Sequence, residues 1–374
     1  MRERPGTWGR WADGQLDEVR AAGRWRQNRS FDARGPRGTL EGRPVTSFAS
    51  NDYLGLSAHP VVVAAAAAAL ERWGTGATAS RLIVGTRPGH GDLEAAVAAW
   101  KHADRALVFS SGYAANVGVL ATLGGPDVTI FSDELNHASI IDGCRLGRST
   151  VVVYRHADVD DLDQRLGSVG GRKVVVTDSV FSMDGDVADL AALADRCVDH
   201  DALLVLDEAH AVLGPDLPAV DGLALVRVGT LSKTLGSLGG WVAADGPMID
   251  LLVNRARSYI FTTALTPADT AAAQAALAVL RSPEGAALLA RLRAHVDRLR
   301  PGHPSPIVPI VLGDEEHALK AAAALLDDGI FVPAIRPPTV PVGTSRLRVA
   351  LSAAHSEAMV DDLIAGLDRL GLPR

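Results

Sequence analysis

Short apolar runs alternate with amphipathic helical segments through the middle of the chain, and this alternation restricts the fold more than any other feature. Four of the runs are Ala106–Ser110, Val128–Asp133, Lys173–Ser179 and Leu203–Glu208. Runs of this length joined through helices predict an α/β fold, with a mostly parallel sheet covered by helices on both faces. In such sheets ligands bind at the carboxyl ends of the strands.

The alternation changes near residues 260–300, where long alanine-, leucine- and arginine-rich helices precede a smaller α/β unit. We therefore predict an N-terminal helical lobe (1–46), a large domain (47–260) and a small C-terminal α/β domain (261–374). The lobe is predicted to be a helix over residues 12–29 followed by a loop through Pro44. In the small domain, IFVPAI (330–335) is predicted to be one strand.

One glycine- and threonine-rich segment, Gly74–Glu94, is too long and too polar for a plain connector. Long loops of this kind are often functional, so we expect the segment to line a site.

Composition and charge exclude several classes of function. The formal net charge of −7 does not favour a nucleic acid or an anionic membrane as partner. Residues 1–43 carry ten arginines against six acids, a local excess of +4 that fits either an anionic substrate nearby or a solvated helix.

Cysteine usage and the longest apolar run indicate a cytoplasmic protein. Cys144 and Cys197 are far apart and form no CxxC or Cys/His cluster, so we expect no metal site and no disulfide framework. A reducing compartment fits this pattern. The run Val61–Leu70 is too short to span a bilayer, and the N-terminus has no apolar signal-peptide core.

Lysine is rare in this chain, which makes Lys233 conspicuous. Only four of the 37 Lys+Arg residues are lysines. Lys233 lies among hydroxyl side chains and glycines in Gly229–Gly240, directly after the apolar run Ala224–Val228. An amine can form an imine with an aldehyde, whereas a guanidinium cannot, and desolvation makes the amine more reactive. A structural role for Lys233 alone is an equally good interpretation.

Three further features lie at ends of predicted strands. Gly112, in SSGYAAN, offers free N–H groups to a phosphate, although a Ser-Gly turn before a helix is common. Asp207 and His210, in DEAH, fit a protonated pyridine nitrogen, a metal or a helicase-type box; the last requires a GxxxxGK[ST] loop that the sequence lacks. His137 fits stacking on a flat ring, a helix cap or a surface position. Their joint occurrence with Lys233 in this order is hard to obtain by chance.

These motifs resemble the α-oxoamine synthase group of fold-type I pyridoxal phosphate enzymes, in the class-II aminotransferase family. The resemblance covers nearly the whole chain, and its most specific part is AIRPPTVPVGTSRLRVALSAAH (334–355). Other matching motifs are SNDYLGLS (50–57), SRLIVGT (80–86), SGYAAN (111–116), LNHASIIDG (135–143), VFSMDGD (180–186), DEAH (207–210) and SKTLG (232–236). The resemblance implies an aspartate aminotransferase-like fold with a seven-stranded sheet, and a homodimer with active sites at the subunit interface.

The resemblance also implies which residues bind pyridoxal 5'-phosphate. Lys233 would form the imine with the cofactor aldehyde and later act as the base at the substrate Cα, and Asp207 would pair with the pyridine nitrogen. His210 would hydrogen-bond the ring oxygen and His137 would stack on the ring; these four are the predicted catalytic residues. Other cofactor contacts are expected from Ser182, Thr230 and the backbone of Gly112 and Tyr113.

The implied reaction is a decarboxylating condensation of L-alanine with a pimeloyl thioester, carried by CoA or a carrier protein, in biotin synthesis. Arg348 would bind the amino-acid carboxylate through its planar fork, and Thr339 and Arg26 would contact the acyl substrate. Two alternatives are a sister enzyme that uses glycine or serine with another acyl-CoA, and a regulatory protein that has lost catalysis.

Overall fold

The protein is described by a computed structural model that covers residues 6–373. Its α-helices are α1 (Thr7–Ala21), α2 (Pro60–Trp73), α3 (Pro88–Lys101), α4 (Gly112–Leu123), α5 (Ala138–Leu146), α6 (Val159–Gly167), α7 (Leu190–Asp199), α8 (Gly246–Arg255), α9 (Arg257–Ile260), α10 (Pro267–Leu280), α11 (Pro283–Leu299), α12 (Glu315–Asp327) and α13 (Glu357–Arg369). Its strands are β1 (Phe31–Ala33), β2 (Arg37–Leu40), β3 (Arg43–Ser47), β4 (Arg105–Phe109), β5 (Val128–Asp133), β6 (Thr150–Tyr154), β7 (Arg172–Asp178), β8 (Ala202–Asp207), β9 (Leu225–Thr230), β10 (Gly240–Ala244), β11 (Ile307–Gly313), β12 (Ile330–Phe331), β13 (Ala334–Ile335) and β14 (Ser345–Ala350).

A seven-stranded sheet forms the centre of the large domain, in the order β4-β10-β9-β8-β7-β5-β6. Strands β5 to β9 pair in parallel, whereas β10 is antiparallel to both β4 and β9. The prediction of a mostly parallel sheet is therefore confirmed. The register aligns Asp178 with Asp207 at the carboxyl ends of β7 and β8, so two carboxylates lie side by side at the edge where ligands bind.

Local sequence explains why the elements of this sheet begin and end where they do. Strand β5 is buried at every position, and its neighbour β7 is buried over its last five residues, as expected of strands covered on both faces. Helix α4 begins where the Ser111 side chain accepts a hydrogen bond from the Ala114 N–H (3.0 Å). Such caps fix the direction in which each helix leaves its strand, and with it the position of the residues at the turn.

Two smaller sheets join the ends of the chain. Antiparallel strands β1, β2 and β3 are extended by β12, which pairs in parallel with β3. Strand β14 lies between β11 and β13. The prediction of a single strand over residues 330–335 is wrong, because Pro333 has no N–H and the chain passes there from one sheet to the other.

The N-terminal segment also differs from the sequence prediction. Helix α1 ends at Ala21 rather than near residue 29, because Gly23 adopts φ +65° and closes the helix with a hydrogen bond from its N–H to the Arg20 carbonyl. The predicted loop through Pro44 is a three-stranded meander. The domain boundaries stay a prediction, and one buried core contains residues from both sides of residue 260, among them Trp241, Leu292 and Leu363.

Candidate active site

A cavity of about 940 Å³ lies between the carboxyl ends of the large sheet and the proline-rich segment of the C-terminal region. Six of the predicted site residues line it: His137, Ser182, His210, Lys233, Thr339 and Arg348. They come from six separate places in the sequence, and the parallel strands bring most of them to one edge.

Lys233 is partly buried in the turn that follows β9. Its Nζ lies 3.0 Å from Nε2 of His210. Burial lowers the pKa of the Lys233 amine, the carboxylates of Asp207 and Asp178 oppose this shift, and the charge of Arg348 adds to it. An amine with a lowered pKa is suited to act as a nucleophile and a base.

Asp207 is buried at the end of β8 and is oriented by two hydrogen bonds. One carboxylate oxygen accepts from Nδ2 of Asn116 (2.6 Å) and the other from the Ala209 N–H (2.8 Å). The amide oxygen of Asn116 is buried and has no hydrogen-bond partner among the described residues. A buried carboxylate needs a compensating proton donor or charge. Asp207 is not among the residues that line the large cavity, so its contact with the cofactor stays a prediction.

Asp178, which the sequence analysis did not single out, is the neighbour of Asp207. Burial raises the pKa of Asp178 well above its usual range, and the adjacent Asp207 raises it further. One oxygen of Asp178 accepts a hydrogen bond from the backbone N–H of His137 (2.9 Å). Asp178 therefore holds the backbone of the segment that follows β5, in which His137 lies.

His137 is the N-cap of α5 and lines the cavity. Its Nδ1 accepts from the Ser139 N–H (3.2 Å) and lies 2.7 Å from the Ser139 hydroxyl. Desolvation lowers the pKa of His137, Asp207 opposes this shift and Lys233 adds to it. His137 therefore caps a helix and also lines the cavity, so the helix-cap interpretation does not exclude stacking on a ligand ring.

Helix α4 begins close to the end of β9. A Cβ atom added to Gly112 would lie 3.3 Å from Cβ of Thr230, so the two backbones approach closely. The Thr230 hydroxyl bonds the Gly239 carbonyl (2.9 Å) and lies 2.7 Å from the Ser232 hydroxyl. Gly112, Tyr113 and Thr230 do not line the large cavity. Tyr113 is 48% exposed, and its hydroxyl donates to Asp142.

Arg348 is buried on β14 and reaches the cavity from the C-terminal region. Its Nε donates to the Ser182 carbonyl (2.5 Å) and its Nη2 to the side-chain oxygen of Asn51 (3.2 Å). These contacts hold the guanidinium in place while it faces the cavity, as a carboxylate-binding fork requires.

The two residues predicted to meet the acyl substrate are placed differently from each other. Thr339 lies on the cavity wall, in the proline-rich segment. Arg26 is exposed and is not among the lining residues, so its role stays a prediction. Arg24 lines the cavity instead, and its buried Nε has no hydrogen-bond partner among residues 6–373.

Four residues near the site were not assigned roles by the sequence analysis: Asn51, Tyr53, Asn116 and Asp178. Asn51 and Tyr53 belong to SNDYLGLS, and Asn116 ends SGYAAN. Asp178 could have been found by its position, since it ends a buried strand just as Asp207 does. The segment Gly74–Glu94, expected to line a site, contributes no residue to the large cavity.

Comparisons with known proteins identify the family of the chain. The profile of the family described as aminotransferase class I and II matches residues 43–367. An 8-amino-7-oxononanoate synthase of Anaeromyxobacter dehalogenans is 50% identical over 375 residues, covering 96% of this chain and 94% of that protein.

Solved structures extend the comparison. A serine palmitoyltransferase of S. paucimobilis, with a bound PLP–myriocin aldimine, has a TM-score of 0.89 at 31% identity, covering 96% of this chain and 98% of that chain. An 8-amino-7-oxononanoate synthase of Francisella tularensis has a TM-score of 0.72 at 26% identity, covering 87% and 98%.

The chain therefore belongs to the aminotransferase class I and II family of pyridoxal phosphate enzymes. Within that family it is a C-acyltransferase of the 8-amino-7-oxononanoate synthase group. The resemblance inferred from the motifs is confirmed.

The residues of the site fit pyridoxal phosphate. The cofactor carries an aldehyde, a pyridine nitrogen and a phosphate, and the chain offers a partly buried amine with a lowered pKa, a buried carboxylate and a helix N-terminus with close backbone approach. Among the described residues there is no cluster of three or more His, Cys, Asp or Glu side chains arranged to hold a metal ion. No helix within residues 6–373 is long and apolar enough to cross a membrane.

Proposed function

We propose that this enzyme condenses L-alanine with a pimeloyl thioester and releases CO₂, the free thiol carrier and 8-amino-7-oxononanoate. The name shared by the curated relatives supports this reaction. The single structural observation that carries the proposal is the contact between the partly buried Lys233 and the buried His210, which line one cavity together with Arg348.

Pyridoxal phosphate, when bound, supplies an electron sink for the negative charge that forms at the amino-acid Cα. We propose that Asp207 holds a proton at the pyridine nitrogen, that His210 hydrogen-bonds the ring oxygen and that His137 stacks on the ring. Ser182, Thr230 and the backbone of Gly112 and Tyr113 would hold the cofactor and its phosphate. The orientation of Asp207 by Asn116 supports this arrangement, because a fixed carboxylate loses little entropy on binding.

Arg348 would bind the carboxylate of alanine and hold its Cα toward Lys233. The Lys233 amine would then remove the Cα proton, and the lowering of its pKa by burial supports this role because it favours the neutral form that can accept a proton. Thr339 would contact the acyl chain from the proline-rich wall, and Arg26 remains a second proposed contact. The carboxylate held by Arg348 leaves as CO₂ after the acyl group has been transferred.

Product identification by mass spectrometry tests this function. The purified enzyme with L-alanine and pimeloyl-CoA is expected to give 8-amino-7-oxononanoate, with ¹³CO₂ released from carboxyl-labelled alanine. Lys233→Ala should reduce turnover at least about a hundredfold, since general base catalysis contributes that much or more. Lys320→Ala is the matched control, because Lys320 is exposed and pairs with Glu316 on a helix surface. Full turnover by Lys233→Ala would refute the assignment.

A sister reaction with serine or glycine is the second candidate, favoured by the serine palmitoyltransferase neighbour. Competition between equal concentrations of alanine, serine and glycine with pimeloyl-CoA and palmitoyl-CoA separates the two. Preferential consumption of serine or glycine with the long-chain thioester would replace the main proposal.

We also propose that the enzyme is a homodimer in the cytoplasm. The apolar side chains of Leu82, Ile83 and Val84 are exposed, and so is that of Phe261, in a segment that an isolated bridge between Ser80 and Thr263 joins to theirs. A patch of this kind at the surface supports a second copy as its partner. The two buried free cysteines are compatible with a reducing compartment.

A further inference from the structure

The hydroxyl of Tyr53 lies between two groups of the active site and has no role in the mechanism described so far. Tyr53 is fully buried. Its oxygen is 2.6 Å from Nδ1 of His210 and 3.1 Å from the side-chain oxygen of Asn51. A phenol has one proton, so it cannot donate to both neighbours at once.

Arg348 determines which way the Asn51 amide points. The guanidinium of Arg348 only donates hydrogen bonds, so the Asn51 atom at 3.2 Å from its Nη2 must be the amide oxygen. The same oxygen faces Tyr53. Because that oxygen only accepts, the Tyr53 hydroxyl must donate its proton to Asn51. Burial raises the pKa of Tyr53 to about 12, against a smaller opposing effect of Arg348, so the phenol keeps its proton at neutral pH.

The state of the His210 ring follows from this direction. Since the Tyr53 proton is given to Asn51, the short contact to His210 forms only if Nδ1 carries a hydrogen and donates it to the phenol oxygen. A ring protonated at both nitrogens is disfavoured, because burial and the charges of Lys233 and Arg348 lower the pKa of His210 well below its usual range. Nε2 is then a bare acceptor, 3.0 Å from the Lys233 amine.

The geometry points to Tyr53 as a positioning residue that holds His210 in the Nδ1–H tautomer and turns the Nε2 lone pair toward Lys233. Hydrogen bonds thus link these residues in the order Arg348, Asn51, Tyr53, His210 and Lys233. Arg348 donates to the Asn51 oxygen from one side, and the other three donate toward it from the other side. The inference deepens the proposed function, on which it rests for the roles of His210 and Lys233. In effect, Tyr53 orients the amine for capture of the cofactor without touching the cofactor or the substrate.

The tautomer is measured directly by ¹⁵N NMR of the full-length chain labelled at histidine nitrogens. The spectrum is recorded before and after loading with pyridoxal phosphate, and the His210 signals are identified by their loss in His210→Gln, since the chain has eleven histidines. In the cofactor-free chain, Nδ1 of His210 is expected to show the shift of a protonated nitrogen and Nε2 that of an unprotonated one. Protonation at Nε2 in this form would overturn the proposal.

Two pairs of variants identify the cause. Tyr53→Phe should abolish the preference for the Nδ1–H tautomer and slow imine formation with added pyridoxal phosphate about tenfold, the effect of one hydrogen bond. Tyr259→Phe, at another buried tyrosine, should change neither quantity. Asn51→Asp keeps an acceptor for Tyr53 and should retain the tautomer, whereas Asn51→Ala should lose it.

Unchanged His210 shifts in Tyr53→Phe would also overturn the inference, even in a fully active enzyme. The proposed function fails by a different result, the absence of 8-amino-7-oxononanoate from the alanine assay. Because the tautomer is observed in the absence of substrate, the two failures are distinguishable. Circular dichroism of each variant shows whether an altered spectrum reflects the tautomer or a loss of fold.

Discussion

Arg348 shows how a single side chain is prepared for an anionic substrate. Its Nε and Nη2 are engaged by the Ser182 carbonyl and the Asn51 amide, and the side chain is buried beside the cavity. A lysine at this position keeps the charge but loses the planar fork and at least one of these contacts. The geometry rather than the charge is therefore the feature to test.

Arg348→Lys is expected to raise KM for alanine about tenfold or more, with a smaller change in kcat, because charge-assisted hydrogen bonds contribute about 1.5–3 kcal/mol each. Steady-state kinetics with alanine as the varied substrate measures this. Arg293→Lys is the control, since Arg293 binds the carbonyls of His303 and Pro304 and does not line the large cavity. An unchanged KM in Arg348→Lys would contradict the carboxylate-binding role.

At the scale of elements, the turn between β9 and β10 depends on glycines. Gly236 and Gly239 adopt φ +59° and +122°, a backbone region that glycine enters without the steric cost that a side chain would bring. Glycine is needed at position 240 for lack of space. A Cβ added there would lie 2.4 Å from the Ser111 carbonyl oxygen and 2.6 Å from the Gly112 nitrogen. Gly240 therefore lets β10 pass directly behind the start of α4.

Gly240→Ala should lower the free energy of unfolding by about 1–3 kcal/mol, as overpacking typically does, and should also weaken binding of pyridoxal phosphate. Thermal unfolding and a cofactor titration followed by absorbance check the two effects. Gly246→Ala makes a suitable comparison, because the only neighbour of its added Cβ is the flexible side chain of Arg105, 3.9 Å away. Equal effects of Gly240→Ala and Gly246→Ala on unfolding and on cofactor binding would contradict a role for the close packing behind α4.

A second link between elements is the imidazole of His156. Its Nδ1 lies 3.0 Å from Asp133, which ends β5, and its Nε2 lies 2.7 Å from Asp186, in the loop that carries Ser182. Burial opposes a charge on this ring, but the two carboxylates outweigh it and raise the pKa of His156 to about 10. The ring is therefore protonated at neutral pH and ties two loops of the active site together.

The stability that His156 provides should depend on pH in a defined direction. The folded-state pKa is above the unfolded value of about 6.5. The contribution is therefore complete below pH 6.5, declines as the pH rises and is lost on passing through about pH 10. Urea unfolding at pH 6 to 10 should show a smaller decline in His156→Gln than in the wild type. His317→Gln, at an exposed position, should follow the wild-type curve. Parallel curves for all three proteins would contradict the role of His156.

At the scale of the whole molecule, the exposed turn Arg81–Gly85 is the clearest indication of a partner. Leu82, Ile83 and Val84 are 50%, 74% and 63% exposed, and Phe261 is 69% exposed. These residues belong to a segment that the sequence analysis expected to line a site. In this chain they face solvent, which is explained if the site they complete belongs to a second copy.

Ile83→Asp is expected to convert the proposed dimer to a monomer at micromolar concentration, because a charge would be desolvated in the interface. Sedimentation velocity measures the change. Leu319→Asp introduces the same charge at an exposed position of α12 and should leave the mass unchanged. A wild-type chain that sediments as a monomer would refute the dimer.

The sequence by itself determined the α/β class and the seven-stranded sheet implied by the resemblance, and it predicted most of the residues of the candidate site. The strands of the large sheet could be located because each is a short, largely apolar run. Lys233, Asp207, His210 and His137 could be predicted because each lies at the end of such a run or just beyond it. The residue types indicated the chemistry, because an imine requires an amine and a protonated pyridine nitrogen pairs favourably with a carboxylate.

Only the tertiary structure decided what surrounds these groups. Asp178 lies beside Asp207 because β7 and β8 pair in one particular register, and Tyr53 meets His210 from 157 residues away. The splitting of residues 330–335 between two sheets likewise depends on distant strands, β3 and β14. Hydrogen bonds, desolvation and pKa shifts arise between residues that are remote in sequence. For that reason the candidate catalytic side chains could be predicted from the sequence, whereas their protonation and orientation could not.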